Sequence, residues 1–249
     1  GAWDLMGLVG FYALGLGFLI LRQFRSHREA LTLSLQNSRA AISDALTGLR
    51  NRRFLQAFME TEVPQILRGL QPGQEAGFEG FALFMLDLDH FKEVNDLYGH
   101  ANGDAVLQQY AGLLRETARK SDVLVRWGGE EFVVVARIQE REGAAPLAHR
   151  FLDQMRLGRF RLLDGRELPI SCTLGYAVFP FFPDRPGLLN WERTLALADD
   201  AMLRAKAAGR DRVMGVAAGS LGGLPPSEAL DRLRDLDRAQ ASGLLSLDV

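Results

Sequence analysis

A reversal of chain direction is written into Arg126-Trp127-Gly128-Gly129-Glu130-Glu131-Phe132, where two glycines stand between the strand-like segment Val123–Trp127 and the apolar run Phe132–Ala136. Glycine admits positive φ and lets a phosphate approach the main chain closely, so a strand–turn–strand tip is the expected local fold. The adjacent carboxylates Glu130 and Glu131 are hard-oxygen ligands suited to a divalent cation. A Gly-Gly turn alone is more often a plain hairpin, and the rest of the chain has to decide between the two readings.

A second acidic strand end lies upstream. The run Phe81-Ala-Leu-Phe-Met-Leu-Asp-Leu-Asp89 is apolar until Asp87 and Asp89, which period-two geometry places on one face with Leu88 on the other. If this strand lies beside the hairpin, Asp87 meets Glu130. Two such carboxylates with a main-chain carbonyl suit Mg2+, which keeps its other positions for water and substrate phosphates.

The order around these motifs reads strand (81–88), helix (about 101–119), strand (123–127), strand (131–136), helix (about 146–157), a long alternating strand (168–179) and a helix (192–208). This βαββαβ order, with added helices, predicts an α+β ferredoxin-like palm: an antiparallel sheet with helices on one face. Before it, Asp44–Arg53 reads as a turn capped by Asp44 or Asn51, followed by a helix over 53–70 and a Gly/Pro/Gln loop over 69–80. After it, residues 215–226 have a Gly/Ala/Pro linker composition, and 227–241 carry a weak amphipathic helix.

At 249 residues and 47% apolar composition the chain can bury one full core with flanking segments to spare. A formal charge of −2 excludes bulk attraction to nucleic acid, so local clusters must carry any phosphate binding. Cys172, the single cysteine, lies in an alternating apolar run and reads as a core residue in a reducing compartment.

Residues 5–21 carry no charge and are followed by Arg22, Arg25 and Arg28. That pattern predicts a membrane helix over 1–22 with its C-terminal end in the cytoplasm. Phe24, Leu31, Leu35 and Ile42 then mark a helical linker over 23–43, either a short coiled-coil seam or a solvated helix.

The link between the first strand and its helix, Asp89–Ala105, is dense in polar side chains and glycines. Asn95 donates and accepts and Asp104 accepts twice, so the pair suits a purine edge bearing N–H donors, such as guanine. Asp104 reads equally as a helix N-cap. Lys206 and Arg210, around a helix end, suit either the helix dipole or a triphosphate.

These motifs resemble the GGDEF diguanylate cyclases, in the GGEEF form. The resemblance covers about Ser43–Val213: D-x-L-T-G-L-x-N-R-R at Asp44–Arg53, D-x-D-x-F-K-x-x-N-D at Asp87–Asp96, G-x-x-x-G-D at Gly99–Asp104, G-G-E-E-F at Gly128–Phe132 and K-x-x-G-R-D at Lys206–Asp211. It implies that each subunit binds one GTP and that two subunits join two GTP into cyclic di-GMP. Asp87, the Leu88 carbonyl and Glu130 would hold Mg2+, with Mn2+ as the alternative. Glu131 would assist at the metal or substrate, and Glu130 would be the better candidate base. Phe91, Lys92, Lys206 and Arg210 would bind phosphates, and Asn95 and Asp104 would read guanine. Arg119-Lys-Ser-Asp122 matches the inhibitory R-x-x-D, with Arg150 as a partner, and implies product inhibition. The expected organisation is a membrane helix (1–22), a linker (23–43), the cyclase domain (44–214) and a tail (215–249), working as a homodimer at the inner membrane with the domain in the cytoplasm. A receptor-only domain, a cyclase closing one purine nucleotide on itself and a dimerisation module are the competing readings.

Overall fold

The computed structural model describes residues 42–70 and 80–248. The expected membrane helix, nearly all of the helical linker and most of the 69–80 loop lie outside them. Among the described residues no helix is long and apolar enough to cross a membrane.

The chain runs β1 (Arg50–Asn51), α1 (Arg52–Gly69), β2 (Gly80–Leu88), α2 (Phe91–Tyr98), α3 (His100–Thr117), β3 (Val123–Gly128), β4 (Glu131–Ile138) and α4 (Ala144–Leu157). It continues through β5 (Phe160–Arg161), β6 (Glu167–Leu168), β7 (Cys172–Phe179), α5 (Trp191–Ala207), β8 (Val213–Ala218), α6 (Pro226–Arg232), α7 (Leu236–Ala241) and β9 (Leu245–Asp248). A seven-stranded sheet has the order β1-β3-β4-β2-β7-β8-β9, and β5 and β6 form a separate hairpin. The expected βαββαβ palm is its centre, formed by β2, α3, β3, β4, α4 and β7.

β2 organises the molecule because all of its residues are buried. Ala82, Phe84, Leu86 and Leu88 belong to one core with α2, α3 and α4. Phe81, Leu83 and Met85 belong to a second core with α1 and α5. A strand apolar at both parities must be covered on both sides. The expectation of helices on one face is therefore corrected: the sheet is sandwiched. It is also mixed, since β1–β3 and β7–β8 pair in parallel.

Ring packing fixes the first core, with Tyr110 against Phe132 at 4.7 Å and Phe84 against Phe151 at 5.8 Å between centroids. Each fully buried ring contributes roughly 1.5–3 kcal/mol. On the other face α5 lies directly on Gly175 of β7, where a Cβ would collide with the main chain of Ala198 and Met202. That close approach sets the height of α5 above the sheet, and with it the position of Lys206 in its last turn.

Three further expectations are corrected. The strand over 168–179 divides, because Pro169 has no N–H for a ladder: Cys172–Phe179 joins the main sheet and Glu167–Leu168 the hairpin. Asp104 caps nothing, since α3 begins at His100 and Asp104 already lies inside it. The tail over 215–249 is no linker. β8 and β9 extend the sheet, Leu233, Leu236, Ala239 and Leu244 are buried in the second core, and the compact unit runs Asp44–Val249.

Candidate active site

The site is built where β2 ends. Asp87 lies opposite Glu131 of β4 and opposite Thr173 of β7. Glu130 occupies the turn beside Gly128 and Gly129, where a register shift interrupts β3–β4 pairing. The expected meeting of Asp87 with Glu130 is thus refined: Glu131 is the cross-strand partner, and Glu130 is a nearby charge that acts on Asp87. Gly129 has φ of 51°, which a non-glycine residue adopts only with strain.

Asp87 is only 5% exposed, and Lys206 Nζ stands 2.7 Å from its Oδ1. Burial foremost, and then the charges of Glu130 and Glu131, push its carboxyl up to about 6 against the opposing pull of the Lys206 ammonium. Burial and the charge of Asp199 on α5 also raise Glu131, again against Lys206. Lys206 thus contacts Asp87 and acts through charge on Glu131 and Asp199.

The neighbouring Asp89, 4% exposed, is held quite differently. Its Oδ2 accepts from Ser171 Oγ at 2.7 Å and from the Asp211 amide at 3.1 Å, and its Oδ1 from Thr173 Oγ1 at 2.6 Å. Asp211 is also gripped by Arg156, which donates to its Oδ1 at 3.0 Å and to its carbonyl at 2.7 Å. Asp89 thereby fixes the left-handed turn of Gly209, Arg210 and Asp211 that carries the exposed Arg210. Asp89 and Arg156 were missed as site-builders, because their partners come from distant parts of the chain.

Asn95 of α2 meets the start of α3. A Cβ at Gly103 would collide with Asn95 Oδ1, so this glycine lets the Asn95 amide lie against the first turns of α3, next in sequence to Asp104. Phe91 is buried in the first core, so its ring serves packing. Lys92 is exposed. Asp122 Oδ2 accepts from the Arg119 amide at 2.7 Å, and Arg150 Nη2 donates to the Thr117 carbonyl at 3.0 Å. Arg119, Asp122 and Arg150 therefore gather at the C-terminal end of α3.

The tip has an anchor that sequence reasoning also missed. Arg126 donates from Nε to the Gly129 carbonyl at 3.0 Å and from Nη1 to both Asp44 oxygens at 3.2 Å. Asp44 in turn closes its own turn on Thr47. A separate cleft of about 470 Å³ opens between α1 and α5, lined by Arg52, Met85, Trp127, Trp191 and Asp199. It lies on the sheet face opposite Asn95, so it is not the expected guanine site.

A hard divalent cation fits these donors. Asp87 and the Glu130–Glu131 pair crowd negative charge at a largely buried strand end, which one ammonium offsets. Among the described residues no cluster of three or more acidic, His or Cys side chains forms a metal cage. Mg2+ rarely uses such a cage, taking one or two carboxylates and completing its shell with water and substrate phosphates.

The family profile described as "Diguanylate cyclase, GGDEF domain" matches residues 41–212, and the chain belongs to that family, a class of enzymes. It is 37% identical over 192 residues to the diguanylate cyclase DgcP of Pseudomonas aeruginosa, covering 77% of this chain and 26% of that one. It is 32% identical over 198 residues to the response regulator PleD of Caulobacter vibrioides, covering 79% and 41%. The chain thus spans well under half of either relative. Among solved structures, diguanylate cyclase SiaD of Pseudomonas aeruginosa in complex with its activator SiaC superposes with a TM-score of 0.59 at 32% identity, covering 85% of this chain and 76% of that one. The coiled coil and GGDEF domain of DgcB from Caulobacter crescentus, in complex with c-di-GMP, gives 0.63 at 25% identity, covering 78% and 96%. The mixed α+β palm is common to these two structures.

Proposed function

We propose that the chain condenses two GTP into cyclic di-GMP and two pyrophosphates, each GTP held by one subunit of a homodimer. The observation that carries this reading is the buried Asp87 facing Glu131 across the strands, beside a glycine turn and under Lys206. Asp87, the Leu88 carbonyl and Glu130 are the ligands for Mg2+, or Mn2+, with Glu131 assisting. The ion, when bound, neutralises charge on the phosphates and polarises the reacting phosphorus.

Asn95 and Asp104 read the guanine edge. Lys92, Arg210 and the Phe91 main chain hold phosphates, and Lys206 joins them when it leaves Asp87. Each ribose 3′-oxygen bonds to the α-phosphorus of the other GTP while the bond to the β-phosphate bridging oxygen breaks, and each hydroxyl proton is released. Two subunits are required because one site holds one substrate while the product contains two. Arg119, Asp122 and Arg150 bind the product and inhibit. DgcB, a relative solved with c-di-GMP, supports a product-binding surface. The helix over 1–22 anchors the chain in the inner membrane with the domain in the cytoplasm.

Incubating the full chain with GTP and Mg2+, and identifying the product by mass, tests the reaction. Cyclic di-GMP is expected, whereas a cyclic mononucleotide or unchanged GTP would reject it. Adding product should slow the wild type and leave Arg119→Ala unaffected, and an equal response would remove the inhibitory site.

A further inference from the structure

The Lys206 ammonium is claimed by two partners, the Asp87 carboxylate it contacts and the triphosphate of the proposed substrate. That ammonium, 2.7 Å from Asp87 Oδ1, is the one side-chain partner of that carboxylate among the described residues. We propose that Lys206 is a placeholder cation, bound to Asp87 until a nucleotide draws it away, so that a divalent ion is disfavoured at this site before nucleotide arrives. This rests on the reading above that Asp87 ligates the ion.

The geometry supports an exchange rather than a fixed pair. α5 packs directly on the sheet at Gly175, through Ala198 and Met202, so an exchange at Lys206 falls to its side chain rather than to a shift of the helix. The Lys206 side chain is 24% exposed, and four rotatable bonds let the ammonium turn outward while the stem remains packed. The exposed Arg210 and Lys92 are further positive charges that a triphosphate would meet in the same reach of the site. Asp89, two residues along, shows the alternative: donors fixed by the fold, none of which can exchange. Without the ammonium, Asp87 keeps the repulsion of Glu130 and Glu131 with no counter-charge, so its demand for a cation rises.

The test is Mn2+ binding to the nucleotide-free full chain, read by the paramagnetic resonance of free Mn2+. Lys206→Met should bind Mn2+ more tightly than wild type, by about tenfold, within the usual range of coupling between sites. Lys206→Gln, checked for a wild-type circular dichroism spectrum, should do the same, and Lys206→Arg should stay weak because the charge is retained. Adding Asp87→Asn should abolish the gain. Equal or weaker affinity in the neutral variants, including no detectable binding in any protein, would overturn the placeholder role. Tight Mn2+ binding that survives Asp87→Asn would instead reject Asp87 as the ligand, a failure of the underlying reading and distinguishable from the first.

Discussion

Two carboxylates end the same strand, two residues apart and almost equally buried, yet their surroundings are opposite. The Asp89 corner is closed by two hydroxyls and a main-chain amide, all set by the fold. The Asp87 mouth is closed by one flexible ammonium and faces like charges, and burial pushes its carboxyl up to about 6. A carboxylate satisfied by fixed neutral donors holds structure together, whereas one balanced by a movable charge is poised for an incoming cation. The same residue type thus serves architecture at one position and chemistry at the next.

The sharpest way to break this contrast is substitution at each position. Asp87→Asn should cut cyclic di-GMP formation on the order of 10³-fold, since metal charge supplies several kcal/mol. It should leave urea denaturation close to wild type, because the freed Lys206 head can reach water. Asp89→Ala should act the other way, losing about 3 kcal/mol of stability by orphaning two hydroxyls and an amide. That corresponds to a fall in Tm of roughly 6–12 °C for a chain of this size. If Asp89→Ala proves inactive at full stability, the division of labour is wrong. Thr173→Val keeps the shape but removes one donor to Asp89, and should cost roughly 1–2 kcal/mol in the same urea titration without altering Mn2+ affinity.

The contrast was only half legible in the sequence. Alternation alone put Asp87 and Asp89 on one face, and the glycine tip with its carboxylates located the mouth. Nothing local distinguishes the two aspartates, because Ser171, Thr173 and Asp211 lie 82 to 122 residues away from Asp89. The sandwiched sheet was in principle visible in β2, whose apolar residues occupy both parities. The tail misled for a different reason. Gly215 admits the Tyr176 ring and Gly219 backs onto the main chain of Gly243, so glycines that read as a linker are points of close packing. Composition cannot separate a glycine chosen for flexibility from one chosen for want of a side chain.

The smallest effect concerns the anchor of the tip, a third carboxylate intermediate between the other two. Burial acts to raise the Asp44 carboxyl, but hydrogen bonds from Thr47 and the Arg126 guanidinium outweigh it and hold the group below its usual value of 3.8. A group whose folded pKa is depressed stabilises the fold above its unfolded pKa and loses that contribution as pH falls through the folded value. Asp44→Asn should therefore cost up to about 1 kcal/mol at pH 7, as expected for a partly solvated ion pair with a local turn. The gap to wild type should close below pH 3.8, where Asp44 itself takes up a proton. The other carboxylates titrate in both proteins and cancel in the difference. A gap that widened on acidification would show that Asp44 is held, like Asp87, at the expense of stability, and would place the anchor with the chemistry rather than with the frame.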